Sequence, residues 1–201
     1  MPRTARVIAP ESWYHILARG NNRQILFRAE GDFCRYLALL REYQDRYSLR
    51  LSHYSLMTNH IHLLAFSGDG DDLEKAMQGV QLSYNWWVRR RYGFSGHLWQ
   101  GRYKSFLIEK DGYLTECSRY IERNPIQAGM VASPEDYPWS SYRFYAYGEP
   151  HKHLNLRPDP GYLSLASTDR ERQSRYREYV KTDRPYELPD PERLYPVFQG
   201  W

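Results

Sequence analysis

The sequence predicts an α+β fold, an antiparallel sheet of four strands with helices packed on it. Three observations carry that expectation. Short apolar and aromatic runs at residues 13–18, 49–57, 60–66 and 103–109 have the length and composition of strands. Two longer segments between them repeat apolar residues at helical spacing. Only Thr58-Asn59 separates the second run from the third, a link short enough to make an antiparallel hairpin.

The first strand, 13–18, ends at the turn signal Gly20-Asn21-Asn22. An amphipathic helix follows, with Phe33, Tyr36, Leu37, Leu40, Tyr43 and Tyr47 on one stripe. Leu49, Leu51, Tyr54 and Leu56 mark strand two, and 60–66 is strand three. The loop 67–71 caps a second helix over 72–92, whose buried stripe is Leu73, Met77, Val80, Tyr84 and Trp87. A glycine-containing loop, 93–101, leads into strand four. The order β-α-β-β-α-β is that of the ferredoxin-like split unit.

A third helix over 111–123 carries Tyr113, Leu114, Cys117, Tyr120 and Ile121, and should end ahead of Pro125, because the residue before a proline disfavours helix. Beyond Pro134 the chain is loop-rich and aromatic, with one more helix over 169–181. From Asp183 it is rich in proline and charge, and is expected to wrap the surface or be mobile. The organisation expected is a domain over 1–148 and a C-terminal extension over 149–201.

At 201 residues, with 41% hydrophobic and 16% aromatic content, the chain can bury a core as one domain plus an appendage. A mean hydropathy of −0.80 and the lack of any long apolar run exclude a membrane-spanning helix. The first residues lack the apolar segment of a secretory signal. Two cysteines, Cys34 and Cys117, have no zinc-ligand spacing and sit in apolar helical patterns that suit inert thiols. A reducing cytoplasm is the expected location. The net charge of +4 is mild, but Arg102 and Lys104 lie among tyrosines and tryptophans, a combination suited to phosphates and unpaired bases. Arg89-Arg90-Arg91 reads as a solvated helix end, favourable to the helix dipole.

Strand three holds the densest chemistry. His60 and His62 are two residues apart, so both rings face one side of the sheet while Ile61 and Leu63 face the other. Two imidazoles side by side can hold a divalent metal, and equally can be the polar face of a half-buried strand. The helix from Asp111 is the natural cover for that face. It carries Tyr120 and, one turn on, Asn124. These suit a nucleophile and a third ligand, or a core aromatic and a helix C-terminal residue.

Five ordered blocks resemble a known family. The segment 56–64, Leu-Met-Thr-Asn-His-Ile-His-Leu-Leu, is similar to the histidine-hydrophobe-histidine motif of the HUH single-tyrosine transposases. The segment 119–129 is similar to the tyrosine helix of the REP-associated tyrosine transposases. Tyr14-His15 with 19–24, the stretch 98–105, and Trp139-Ser140-Ser141-Tyr142 match the same branch. Together they span roughly residues 12–145, with a looser match to about 180.

The resemblance implies His60, His62 and Asn124 as ligands of Mg2+ or Mn2+, and Tyr120 as a nucleophile that forms a 5′-phosphotyrosine with single-stranded DNA. It implies REP hairpins with a short single-stranded foot as substrate, and a nucleoid-associated enzyme. Arg19, Asn21, Arg23, Trp99, Gln100, Arg102, Tyr103 and Lys104 are the expected DNA-binding residues. Monomer and homodimer both stay open, the monomer favoured. Two rival readings are a non-catalytic DNA-binding descendant of a transposase and a metal-dependent hydrolase that makes no covalent adduct.

Overall fold

The computed structural model describes residues 9–109 and 111–186. Its elements follow the expected order. Strand β1 (Ser12–Arg19) leads through a short 3-10 turn at Asn21–Arg23 to α1 (Glu30–Arg46). The hairpin β2 (Arg50–Met57) and β3 (His60–Ser67) precedes α2 (Gly70–Tyr92), β4 (Lys104–Ile108) and α3 (Asp111–Gln127). The sheet order is β2-β3-β1-β4, every pair antiparallel, which is the ferredoxin-like arrangement.

The strand alternation separates two cores. Tyr14, Ile16 and Ala18 of β1, and Ile61 and Leu63 of β3, pack with Tyr36, Leu37 and Leu40 of α1 and Met77, Val80 and Tyr84 of α2. The opposite sheet face gives Leu64 and Ile108 to a smaller cluster with Leu114, Cys117, Tyr120 and Ile121 of α3. Strand β2 changes parity on the way: Leu51 and Tyr54 both face the large core, and the register shifts between Leu51 and His53. This bulge frees His53 to face α3. Where α1 crosses α2 the Tyr43 ring lies directly on Gly79, so that a Cβ there would be 2.0 Å from the ring.

Two expectations about α3 and the tail need correction. Helix α3 does not end before Pro125 but runs through it to Gln127. The proline deprives only the Ile121 carbonyl of its helical donor. The helix end then closes with Ala128 N–H on the Asn124 carbonyl at 2.9 Å and Met130 N–H on the Pro125 carbonyl at 2.9 Å. The loop-rich region is also more helical than its composition suggests, with α4 (Tyr142–Tyr147) and α5 (Pro160–Leu163) before α6 (Asp169–Lys181). Leu154, Leu156, Tyr162, Tyr176 and Val180 join the large core, so this part of the extension is packed into the fold. The expected surface-wrapping tail is described only to Tyr186, and its remainder lies outside the described residues. Cys117 is buried, whereas Cys34 is only half-buried.

Candidate active site

His60 and His62 stand on the sheet face that α3 covers, and both are fully buried. The neighbouring strand adds a third imidazole that the sequence reading left without a role. His15 lies diagonally from His62 across the β1–β3 pair, where Leu17 is its direct partner. His15 Nε2 is 3.0 Å from His62 Nδ1. The rings of His60 and His62 are 5.0 Å apart. The signal for His15 was available, since Tyr14-His15 alternates in phase with Leu17 and Arg19, but it becomes visible only when the β1–β3 register is known.

Helix α3 lays Tyr120 over these rings. Its ring meets His62 edge-on at 5.4 Å and 87°, and His15 at 5.8 Å and 78°. Asn124, one turn on, donates from Nδ2 to the Tyr120 carbonyl at 2.9 Å. Its side chain also hydrogen-bonds the Tyr120 hydroxyl and lies beside the His60 and His62 rings. The structure thus brings all four expected residues together, with His15 added.

Burial sets the protonation of each group. It pulls His60 down to about 3, helped by the charge of Arg19, and pulls His15 down to about 4. His62 is held well below its usual value by burial and then by the two neighbouring imidazoles. All three rings are neutral near pH 7, as metal ligands must be. Burial pushes the Tyr120 phenol up, and the Asn124 hydrogen bond offsets only part of that. Tyr120 is 4% exposed, and its other flank meets the Tyr186 ring edge-on at 5.3 Å.

The donor set can be tested against a hard divalent cation. His60 Nδ1 donates to Asn59 Oδ1 at 2.7 Å, which fixes the tautomer that leaves the lone pair on Nε2. His62 reaches the same tautomer when its Nδ1 donates to His15 Nε2. Among the described residues, no group of three or more His, Cys, Asp or Glu side chains is placed to hold a metal. The donors at hand are two neutral imidazoles and the Asn124 amide oxygen. With no thiolate to favour zinc, these residues fit Mg2+ or Mn2+ and leave positions for water and phosphate oxygens.

Beside His60 the sheet face opens into a cationic cleft of about 470 Å³. Arg19, cross-strand partner of His60, lines it with Asn22, Arg23, Gln100, Arg102 and Lys104. Among the described residues, no carboxylate lines this cleft. Burial, with the charge of Arg23, pulls Arg19 below its ordinary value. Asn59 ties the cleft to the histidine strand, its Nδ2 donating to the Arg23 carbonyl at 3.3 Å. Five of the eight expected DNA-binding residues thus line one cavity. Asn21 is beside it, with its N–H on the Leu98 carbonyl at 2.9 Å. Asn22, which the sequence reading did not single out, enters through its left-handed backbone, φ 49°.

Tyr103 and Trp99 stand outside that cleft and line a neighbouring groove beside α2. Tyr103 is 2% exposed, so its ring faces are taken by packing and cannot stack on bases. Trp99 is half-buried, and its Nε1 donates to the Gln81 carbonyl at 3.0 Å, which fastens the loop to α2. Their aromatic character served the core, a use that sequence context alone does not separate from stacking.

A second buried cluster holds α3 in place. His53 Nδ1 is 3.1 Å from Glu122 Oε1, and His53 Nε2 is 2.9 Å from Asp159 Oδ2. Ser141 donates to Glu122 at 2.6 Å and Ser52 to Asp159 at 2.9 Å. On the far side of α3, Arg119 donates to the carbonyls of Thr182 and Arg184, and Arg123 to those of Val180 and Lys181. Charged groups on both sides therefore fix the rotation of the helix that carries Tyr120.

A histidine pair under a tyrosine helix, on a ferredoxin-like sheet with a cationic cleft, defines a class, and the comparisons agree with it. The profile of the family described as "Transposase IS200 like" matches residues 9–124, more than half of the chain. The chain belongs to that family and is a DNA-binding transposase. A Haemophilus influenzae protein carrying the name REP-associated tyrosine transposase is 29% identical over 124 residues, covering 51% of this chain and 68% of that one. A solved REP-associated tyrosine transposase, bound to a REP hairpin, has the same fold. It superimposes with a TM-score of 0.60 at 17% identity, covering 79% of this chain and 94% of its own.

Proposed function

We propose that this protein nicks and rejoins single-stranded DNA of REP-type hairpins through a covalent 5′-phosphotyrosine on Tyr120. The observation that carries the reading is the meeting of Tyr120, Asn124, His60 and His62 beside a cleft lined by cations. His60, His62 and Asn124 would hold Mg2+ or Mn2+. When bound, that ion offsets charge on the reacting phosphate and favours the phenolate.

The chain's own groups do the rest. Arg19, Arg23, Arg102 and Lys104 draw the phosphodiester backbone along the cleft to His60. Asn124 orients the Tyr120 hydroxyl through its hydrogen bond. Tyr120 Oη attacks phosphorus in line. The Oη–P bond forms, the P–O3′ bond breaks, and the leaving 3′ oxygen takes up a proton. The new ester keeps the energy of the old one, so a second 3′-hydroxyl can attack it and restore both a phosphodiester and the free tyrosine. Because Tyr120 is buried against Tyr186, the segment 182–186 has to move aside before a phosphate can reach it.

That cover also favours a second reading, a DNA-binding descendant that no longer cuts. Labelled hairpin DNA incubated with protein and Mn2+ separates the readings. The main reading predicts one product with an extendable 3′-hydroxyl and one whose 5′ end is blocked by protein. A free 5′-phosphate would point to a hydrolase, and binding without products to the descendant.

A further inference from the structure

A histidine that ligates a metal through one ring nitrogen carries its proton on the other, and that proton needs an acceptor. His60 has one in Asn59 Oδ1, at 2.7 Å and adjacent in the chain. For His62 the atom in that place is His15 Nε2, 3.0 Å from His62 Nδ1. The two ring centroids are 5.2 Å apart and the ring planes differ by 16°. With the nitrogens so close, rings at that separation meet edge to edge rather than face to face. An N–H of one ring therefore runs in line with the lone pair of the other.

Packing does not call for an imidazole at position 15. The residue is 1% exposed, and its cross-strand partners are Leu64 on β3 and Phe106 on β4. When its Nε2 accepts from His62, the neutral ring of His15 holds its own proton on Nδ1. That nitrogen is buried and hydrogen-bonds to nothing among the described residues, which costs stability that an apolar side chain would not. The acceptor is also held firmly, because β1 is an inner strand paired on both sides.

We propose that His15 is a positioning residue for the metal site, an inference that rests on the metal-dependent reading above. Its Nε2 accepts the Nδ1 proton of His62, fixes the plane of that ring, and leaves the lone pair on His62 Nε2. His15 thus does for His62 what Asn59 does for His60, from a separate strand.

The test uses the full chain and Mn2+ alone, with the EPR signal of unbound ion followed through a titration. H62A sets the response expected of a lost ligand. H15F keeps a ring but removes the acceptor, and should weaken Mn2+ binding by about ten- to a hundredfold. H15Q puts an amide oxygen where Nε2 stood and should recover most of that loss. Thermal unfolding of each variant checks that the fold is intact. In the wild type with Mg2+, 15N NMR should find a proton on His62 Nδ1 and none on His15 Nε2. A protonated His15 Nε2 overturns the inference whether or not the variants fold. H15F binding Mn2+ like wild type, or H15Q binding no better than H15F, overturns it too and leaves the cleavage reading standing. Equal Mn2+ binding by wild type and H62A overturns the metal site itself, and this inference with it.

Discussion

At the scale of single residues, the site sorts its side chains by what they must do in the dark of a buried interface. The two histidines are neutral by burial, so in the proposed metal site their loss removes nitrogen ligands that water replaces poorly. Asn124 gives a neutral oxygen that water can imitate. Asn124→Ala should therefore be milder than His60→Ala or His62→Ala, and raised Mn2+ should partly restore it, since manganese binds nitrogen–oxygen sites more tightly than magnesium does. A metal titration of cleavage reads this directly; an unchanged metal requirement in Asn124→Ala would remove the residue from the ligand set. His53 offers a second test. Burial would lower its pKa, but the hydrogen bonds and charges of Asp159 and Glu122 outweigh that, and the net shift is upward. A raised value means that protonated His53 contributes stability fully below its unfolded value of about 6.5 and loses it as pH rises through the folded one. An NMR titration should place the His53 midpoint above about 6.5, and a lower midpoint would contradict the buried ion pairs.

At the scale of elements, most of the fold was legible and the failures have separate causes. Helix and strand periodicity located all four strands and the helices α1, α2 and α6, because each buries one face against a large core. The histidine face was legible too, since alternation alone puts His60 and His62 together. Pro125 misled because its rule concerns an average helix, whereas here only one carbonyl, in the last turns, loses its donor. His15, Asn22, and the packing of Trp99 and Tyr103 depend on register and loop geometry, which short-range pattern does not carry. The α1–α2 crossing gives an element-scale prediction. Gly79→Ala places a methyl inside the Tyr43 ring and should destabilise the fold by about 1–3 kcal/mol, the usual cost of overpacking. Urea unfolding measures it, and a loss well under that range would mean that the helices part without strain.

At the scale of the whole molecule, a modest net charge of +4 is concentrated where it acts, in one cleft beside the histidines. Affinity for single-stranded DNA should accordingly fall with salt, and Lys104→Ala should reduce the slope of log K against log salt by about 0.7, the value for one phosphate contact. An unchanged slope would place Lys104 outside the DNA path. The C-terminal helices belong to this machine as well, since they grip α3 through Arg119, Arg123 and Glu122 and so hold Tyr120 over the histidine face. The central claim is that Tyr120 itself becomes joined to DNA. The most direct measurement is a denaturing gel of labelled single-stranded hairpin DNA incubated with Mn2+ and either wild type or Tyr120→Phe. The account predicts a denaturant-resistant protein–DNA band with wild type and none with Tyr120→Phe, although the variant binds the hairpin equally well. Cleavage by the wild type without such a band, or an undiminished band with Tyr120→Phe, would contradict it.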